Sequence, residues 1–242
     1  NFWRVANPDL KPEKLSNFEG SAIFNISDFM IITLNGFYQK LSDMITTEVL
    51  IDSEFNSFQG IPVGAVARRT NEGTLTTYGG SLRLDFLFKA GSFSILPNIT
   101  YSYTDGKLDN DQEKNPNKED YDFLIYAAKH TIKGGADVKI SDLFFSTRFI
   151  YRGASYHKYA YEKSGTDEYN KEDYKSDPFF IINLNARYEN LFSVGGLKFS
   201  AFMNIYNLLN TKHYNVAVAD DEGFIATPQD TFRFLGGLIY KW

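Results

Sequence analysis

The C-terminal stretch Thr231-Phe-Arg-Phe-Leu-Gly-Gly-Leu-Ile-Tyr-Lys-Trp242 alternates between two kinds of position. Aromatic and aliphatic side chains fill the even positions apart from Gly236, whereas the charged residues Arg233 and Lys241 lie at odd positions. Successive side chains of a β-strand point to opposite faces of its sheet. The stretch therefore predicts a strand with one apolar wall and one mostly polar wall.

The same alternation recurs upstream in eight further segments. Counted with the C-terminal one, the nine segments span residues 17–26, 32–39, 77–86, 93–103, 130–140, 145–152, 182–189, 197–205 and 231–242. The spacing of an amphipathic helix appears nowhere over a comparable length. The chain is therefore predicted to be all-β.

The connections between these segments alternate in length. Short turns are expected at 27–28, 89–92, 141–142 and 193–196, and long polar connections at 46–70, 105–126, 157–177 and 211–230. Outer-membrane barrels have short turns on one side of the membrane and long loops on the other, with aromatic girdles near the strand ends. Aromatic residues gather at such ends here: Tyr38, Tyr101, Tyr103, Tyr151, Tyr188, Tyr240 and Trp242. We therefore expect an antiparallel transmembrane β-barrel whose polar face lines a lumen.

Composition excludes several other classes. The absence of cysteine excludes disulfide scaffolds, thiolate zinc sites and cysteine nucleophiles, and three histidines leave little room for a metal centre. A net charge of −5 argues against a nucleic-acid partner. A mean hydropathy of −0.32 and the lack of a long apolar run argue against a transmembrane helix. No nucleophile or phosphate-binding motif is present, so we expect neither an enzyme nor a cofactor.

The count of nine strands is odd, whereas single-chain bacterial barrels have even numbers. Residues 2–5 could supply a tenth strand. Alternatively, the chain is the C-terminal part of a larger barrel, and this interpretation is favoured because it begins in mid-pattern without a signal peptide. We therefore interpret residues 1–242 as one barrel segment.

Short motifs in a fixed order resemble those of TonB-dependent outer-membrane receptors. They are Asn7-Pro-Asp-Leu-Lys-Pro-Glu13 with Phe18-Glu-Gly20, Gly36-Phe-Tyr38, Asn71 and Gly73 with Gly79-Gly80, His130-Thr131, Asn207-Leu-Leu-Asn210 with Tyr214, and the terminal strand. The terminal strand departs from the family pattern at two places, since Arg233 lacks a preceding glycine and Trp242 replaces phenylalanine.

The resemblance implies a barrel of about 22 strands with a plugged lumen, of which this chain holds the last nine or ten. In such receptors the plug domain and the TonB box lie N-terminal to the segment that this chain resembles. The implied function is TonB-dependent import of a scarce nutrient across the outer membrane of a Gram-negative bacterium. The nutrient is left open among an iron chelate such as a siderophore, cobalamin, a glycan and a peptide.

The resemblance also implies partners. They are the TonB complex acting through the plug, the barrel assembly machinery, outer-membrane lipid with lipopolysaccharide, and a small ligand. Whether a surface lipoprotein accompanies the barrel is left open.

Ligand contacts are expected in the third long connection, where His157, Tyr159 and Tyr161 cluster. Tyrosine offers a rigid contact area with a polar tip, which suits the capture of small ligands. The alternative is that these residues only pack a loop beside lipopolysaccharide headgroups.

Arginines recur on the predicted lumen side at Arg83, Arg148, Arg152, Arg187 and Arg233. They could bind an anionic ligand or pair with carboxylates of the plug or the wall, for which Asp85 and Glu189 are nearby candidates. At the C-terminus, Tyr240 and Trp242 resemble the aromatic signal that the barrel assembly machinery selects. A simple girdle role is the alternative.

Two other classes of protein remain as rivals. A small autonomous outer-membrane barrel, acting as a passive porin or an adhesin, would use only these strands. A soluble β-sandwich binding module would also show alternating strands, but it has no physical reason to separate short and long connections so cleanly.

Overall fold

The computed structural model describes residues 2–50, 57–58, 61–62, 65–110, 120–157, 175–215, 219–220, 223–224 and 227–241. In these ranges the chain forms strands and irregular connections, and no helix is long and apolar enough to cross a membrane.

Strands are numbered in chain order over the described residues. They are β1 (Phe2–Val5), β2 (Lys14–Ser27), β3 (Met30–Ser42), β4 (Ile45–Leu50), β5 (Ser57–Phe58), β6 (Ile61–Pro62), β7 (Ala65–Asn71), β8 (Thr74–Phe86), β9 (Phe88–Ala90), β10 (Phe93–Asp109), β11 (His130–Ile140), β12 (Leu143–Arg152), β13 (Phe179–Val194), β14 (Leu197–Tyr206), β15 (Tyr214–Asn215), β16 (Ala219–Asp220), β17 (Gly223–Phe224), β18 (Thr227–Pro228) and β19 (Arg233–Lys241).

The largest sheet contains every strand expected from the alternating pattern. Its order is β19-β14-β13-β12-β11-β10-β8-β3-β2, and its tenth member, the short β9, pairs with β10. Each long strand thus lies beside its neighbour in sequence, and β2 and β19 stand at the two edges. The prediction of an all-β antiparallel fold is confirmed.

The alternation of connection lengths is confirmed as well. Turns at 28–29, 91–92, 141–142 and 195–196 alternate with connections at 43–73, 110–129, 153–178 and 207–232. Gly195 and Gly196 both have positive φ, 59° and 85°, which glycine adopts without steric cost and which the tight turn from β13 to β14 requires.

The chain divides into two compact units. The first comprises Asn1–Phe18, Tyr38–Tyr78 and Gly106–Phe123, and the second comprises Glu19–Phe37, Gly79–Asp105 and Leu124–Trp242.

In the first unit, β1, β7 and β4 form a separate three-stranded sheet. Strand β1 pairs with β7 in parallel, with Phe2 opposite Ala65 and Val5 opposite Arg68. The suggestion that residues 2–5 add a tenth strand to the main sheet is therefore wrong. The expectation that residues 46–70 form only a loop is wrong in part, because β4 and β7 lie at its two ends and pair with each other at six positions.

Residues 7–13 of the first unit, here named the strap, are held by side-chain hydrogen bonds. The Asn71 amide group donates to the backbone oxygens of Lys11 (2.8 Å) and Asp43 (2.7 Å), and its oxygen accepts from the Lys11 amide (2.6 Å). Glu13 Oε1 accepts from the Ile45 amide at 2.7 Å. Two of the motifs noted in the sequence, 7–13 and Asn71-Glu-Gly73, are thus bonded to each other.

In the second unit, strands β10 to β19 give the main sheet two different faces. The apolar face exposes large side chains: Ile99, Tyr101, Ile140, Tyr151, Phe180, Tyr188, Met203, Phe234, Leu238 and Tyr240. A continuous exposed apolar surface of this extent marks contact with a partner or with lipid. The hydrophobic side of this sheet therefore faces outward instead of packing into a core of the chain.

Candidate functional site

The opposite side of the same sheet forms the polar face. Directly opposed residues of paired strands share a face, so the strand register assigns each side chain. Arg148 lies opposite Gly135 and Asn183, and Phe144 lies opposite Lys139 and Arg187. Followed across the sheet, the register gives the polar face these residues: Ser94, Leu96, Asp137, Lys139, Phe144, Ser146, Arg148, Asn185, Arg187, Phe202, Asn204 and Arg233.

One ion pair on the polar face joins β11 to β12. Arg148 Nη2 lies 2.7 Å from each carboxylate oxygen of Asp137, and Ser146 Oγ donates to Asp137 Oδ1 at 2.6 Å. Charge-assisted hydrogen bonds of this kind are stronger than neutral ones and fix orientation. The pair therefore links two adjacent strands of the wall.

The other predicted arginines also have partners within the chain. Arg83 binds Asp85 through two bonds of 2.6 Å. Arg187 Nη2 binds Glu189 Oε1, as the spacing of these residues suggests. Arg152 donates to the Tyr126 carbonyl at 2.9 Å, and Arg233 Nη1 lies 3.3 Å from Asp230 Oδ2.

These contacts bear on the role of the arginines. Each guanidinium lies beside an acceptor of the same chain, and the five arginines are distributed over the strands β8, β12, β13 and β19. Side-chain exposure of 49% for both Arg83 and Arg148 nevertheless leaves room for further hydrogen bonds, since a guanidinium has five donors.

A cavity of about 670 Å³ opens on the polar face. Its apolar lining includes Leu96, Phe144, Phe202 and Ile239. Two cations flank the Phe144 ring, with Lys139 Nζ at 5.0 Å and Arg187 Cζ at 5.1 Å from its centroid. Its size is that of a small-molecule pocket, and its lining suits a group that is partly apolar and partly anionic.

A cluster of aromatic and charged residues joins the middle of β10 to the start of β11. The His130 ring lies between Tyr101 and Tyr103, with centroid distances of 6.0 and 5.4 Å. Lys129 Nζ lies 2.8 Å from Asp105 Oδ2, and this hydrogen bond raises the pKa of Lys129, which lies outside the strands. Sequence analysis identified Tyr101 and Tyr103 as girdle aromatics and His130 as part of a motif, but it did not predict that the three rings meet.

The residues expected to contact a ligand are only partly described. His157 is fully buried, and its ring meets that of Tyr126 edge-on at 5.6 Å. Beside it, Ser155 is buried and its amide donates to Ser176 Oγ at 3.1 Å. Tyr159 and Tyr161 lie outside the described residues.

The C-terminal pair is also only partly described. Tyr240 is exposed on the apolar face, with its ring 6.3 Å from that of Phe199 in the neighbouring strand. Trp242 lies outside the described residues. Within the described ranges no group of three histidine or acidic residues is placed to hold a metal ion.

A polar motif before the last long connection fixes the local backbone. Asn207 is buried, its amide group donates to the carbonyls of Thr211 (2.8 Å) and Asp230 (3.2 Å), and its oxygen accepts from the Thr211 amide (2.9 Å). The motif Asn207-Leu-Leu-Asn210 thus ties the two ends of the connection together.

The family model for the TonB-dependent receptor-like β-barrel matches residues 1–208. The chain belongs to this family. It is therefore part of an outer-membrane β-barrel of a Gram-negative bacterium, and the family is one of receptors and transporters. In this receptor chain the polar face corresponds to the lumen side and the apolar face to the lipid side.

Solved structures of outer-membrane transporters share the receptor chain's fold. The transporter YddB from Escherichia coli matches with a TM-score of 0.68 at 17% identity, over 98% of this chain and 34% of that one. An FrpB iron transporter from Neisseria meningitidis matches with a TM-score of 0.66 at 14% identity, over 98% and 33%. The ferripyoverdine receptor of Pseudomonas aeruginosa matches with a TM-score of 0.58 at 14% identity, over 95% and 27%.

The receptor chain thus spans about a third of the length of these structures. No curated protein matches it in sequence.

Proposed function

We propose that the complete protein imports a scarce nutrient across the outer membrane by a TonB-dependent mechanism, and that residues 1–242 form the C-terminal segment of its barrel. The observation that carries this proposal is the family match over residues 1–208. A plug formed by residues outside this chain would close the lumen, and the TonB complex would act on that plug. The chain itself would supply wall, loops and the C-terminal assembly signal at Tyr240 and Trp242.

The lumen wall supports this proposal in two ways. Its arginines hold carboxylates or carbonyls of the same chain, so the wall is polar and its charged side chains are fixed by their neighbours. The cavity beside Phe144 then offers an apolar and cationic surface that suits a plug side chain or a passing anionic chelate. An anionic iron chelate is the candidate whose charge complements Lys139 and Arg187 in this cavity, and it is therefore the first ligand class to test.

The first prediction is that uptake through the complete protein requires TonB. We expect cells that express it to accumulate an iron chelate from a tested panel only when TonB is intact, because only energy transduction would open the plug. The measurement is uptake of radiolabelled iron in otherwise identical strains with and without TonB. Equal uptake in both strains would favour the passive porin.

Conductance in planar lipid bilayers tests the same alternative without any knowledge of the ligand. A plugged receptor is expected to show no steady conductance, whereas a porin made of these strands alone would conduct continuously. A permanently open channel formed by the complete protein would contradict the proposal.

The second prediction concerns the third long connection. We propose that Tyr159 and Tyr161 contact the ligand, and that buried His157 holds the base of the connection, because a side chain without exposed surface cannot touch a ligand there. Replacing both tyrosines with alanine is expected to weaken ligand binding about tenfold or more, since aromatic anchors dominate many interfaces. The measurement is binding of the imported chelate to whole cells.

The matched control for the loop is Tyr188→Ala, which removes an exposed tyrosine from the apolar face far from the long connections. It should leave affinity unchanged. Unchanged affinity in the double loop variant would refute the loop assignment while leaving TonB dependence intact.

A further inference from the structure

Tyr126, in the second long connection, has a backbone conformation that is unusual for its residue type. Its φ is 61°, in the left-handed region where the Cβ atom crowds the following carbonyl. The other described residues that have positive φ and are not glycine are Asp43, Ser141, Asn190, Asn207 and Asn210. All of these have short polar side chains that can bond to the nearby backbone, whereas tyrosine cannot. The strain at Tyr126 must therefore be offset by its surroundings.

Two hydrogen bonds hold Tyr126 in this conformation. Its amide donates to the Tyr156 carbonyl at 2.7 Å, and its own carbonyl accepts from Arg152 Nη2 at 2.9 Å. The edge-on contact with the buried His157 ring fixes one side of the Tyr126 ring. These contacts come from the third long connection and from the last residue of β12. The position of Tyr126 is therefore set by elements outside its own connection.

The side chain of Tyr126 nevertheless remains accessible. It is 45% exposed, and its hydroxyl group forms no hydrogen bond within the part of the chain that the structure describes. A phenol group can both donate and accept a hydrogen bond. Backbone strain of this kind concentrates at binding sites, where the surrounding structure holds a group in one position. The strained backbone thus presents an exposed ring and an accessible hydroxyl group at a fixed position.

Two cations lie on the polar face next to Tyr126. Lys133 of β11 lies opposite Ile150 of β12, and Arg152 follows Ile150 by two residues on the same face. This is the polar face, because Arg148 precedes Ile150 by two residues. Lys133 and Arg152 are therefore diagonal neighbours, a spacing that long side chains can bridge. Arg152 is placed between the carbonyl of Tyr126 and the side chain of Lys133.

These two cations differ from the other charged groups of the wall. A carboxylate lies beside each of the other wall arginines, Arg83, Arg148, Arg187 and Arg233. Arg152 instead binds a backbone carbonyl, and Lys133 forms no ion pair with any residue that the structure describes. A guanidinium has five donor hydrogens and an ammonium group has three. The two side chains therefore offer positive charge and further donors to an anion.

We propose that Tyr126, Arg152 and Lys133, here named the upper wall site, bind anionic oxygen atoms of the imported ligand. Guanidinium and ammonium groups bind such oxygens through charge-assisted hydrogen bonds. The Tyr126 hydroxyl donates a further bond, and its ring supplies a flat contact surface. Among the ligand classes considered above, the site therefore selects an iron chelate with net negative charge. The inference rests on the proposed function and adds the charge of the nutrient and three residues that recognise it.

The test uses the complete protein purified in detergent and two probes. One is an iron(III) tricatecholate, which carries a net negative charge, and the other is an iron(III) trihydroxamate, which is uncharged. Isothermal titration calorimetry gives the affinity for each chelate. We expect the tricatecholate to bind about tenfold tighter or more than the trihydroxamate.

Two single variants test the site without removing a contact of the described chain. Lys133→Gln removes only a charge, and Tyr126→Phe removes only a hydroxyl group. Each is expected to weaken binding of the tricatecholate about tenfold, since each removes one hydrogen bond to a charged group. Lys133→Gln should leave binding of the uncharged chelate unchanged.

The matched controls are Lys198→Gln and Tyr188→Phe. Lys198 is exposed on the polar face at the start of β14, beside the short turn at 195–196. Tyr188 is exposed on the apolar face. Both variants make the same chemical change away from the upper wall site, so they should bind both chelates like the wild type.

Three outcomes would overturn the proposal. The first is equal affinity for the two chelates, and the second is binding of neither. The third is unchanged tricatecholate affinity in Lys133→Gln or in Tyr126→Phe, which would mean that the group serves another partner, such as a carboxylate of the plug. Because calorimetry does not involve TonB, these outcomes are separate from the test of TonB-dependent import, in which another nutrient could still be taken up.

Discussion

Replacing Gly135 with valine is expected to prevent or severely weaken folding of the barrel. A Cβ atom at this position would lie 2.0 Å from the Thr147 carbonyl oxygen and 2.9 Å from Arg148 Cδ. The first contact is with the backbone of the paired strand β12, which cannot move without breaking the sheet ladder. We expect a loss of at least about 3 kcal/mol, at the upper end of overpacking costs.

The measurement is the free energy of unfolding in urea. The complete protein is reconstituted in lipid vesicles, and its unfolding is monitored by intrinsic fluorescence. Gly36→Val, in the internal strand β3, is the matched control, because the nearest atom to a Cβ built there is the Gly79 carbonyl oxygen at 3.9 Å, an ordinary van der Waals distance. Valine favours extended backbone, so this variant should be neutral or slightly stabilising. Equal stability of the two variants would show that the backbone of β12 gives way more easily than the structure indicates.

Replacing Asn71 with alanine is expected to release the strap. One side chain supplies three hydrogen bonds, two to Lys11 and one to Asp43, and alanine can supply none of them. At about 1 kcal/mol for each net bond, the loss is roughly 2–3 kcal/mol. Hydrogen exchange of the amides in residues 7–13 is the measurement, and their protection should fall by about 30-fold or more.

The variant Asn71→Asp distinguishes the bond that the Asn71 side chain accepts from the two bonds that it donates. Aspartate can still accept from the Lys11 amide but can no longer donate to the carbonyls of Lys11 and Asp43. Its carboxylate would also repel these two oxygens, so the loss of exchange protection should be at least as large as in the alanine variant. Asn35→Ala is the control, because it removes a single exposed bond to Ser81. Unaltered exchange in residues 7–13 of the Asn71 variants would show that two other bonds hold the strap without Asn71: the one from the Ile45 amide to Glu13, and one of 2.9 Å from Asn7 Nδ2 to the Arg69 carbonyl.

Alternation of side chains was sufficient to predict the main sheet, because one face meets lipid and the other meets a polar lumen. Pairs two residues apart, such as Arg83–Asp85 and Arg187–Glu189, also follow from the same period, since both members point to one face. The bond between Arg148 and Asp137 could not be predicted in this way. It depends on the register of β11 against β12, which no single segment encodes.

The smaller sheet escaped sequence analysis for a related reason. Strand β7 contains Arg68-Arg69-Thr70-Asn71, a polar run without the two-residue period of a lipid-facing strand. Its parallel partner β1 lies about 60 residues earlier in the chain, so no local signal links them.

The neighbour-to-neighbour order of the main sheet has a consequence for how such a wall can change over generations. Each β-hairpin borders only the hairpins that precede and follow it in the chain. Duplication or deletion of one complete hairpin therefore leaves the pairing of the other strands unchanged, and their side chains keep facing the lumen or the lipid as before. Gain of a single strand, in contrast, reverses the direction of all later strands. The complete hairpin, two strands at a time, is therefore the unit by which the circumference of this wall changes with the least disturbance.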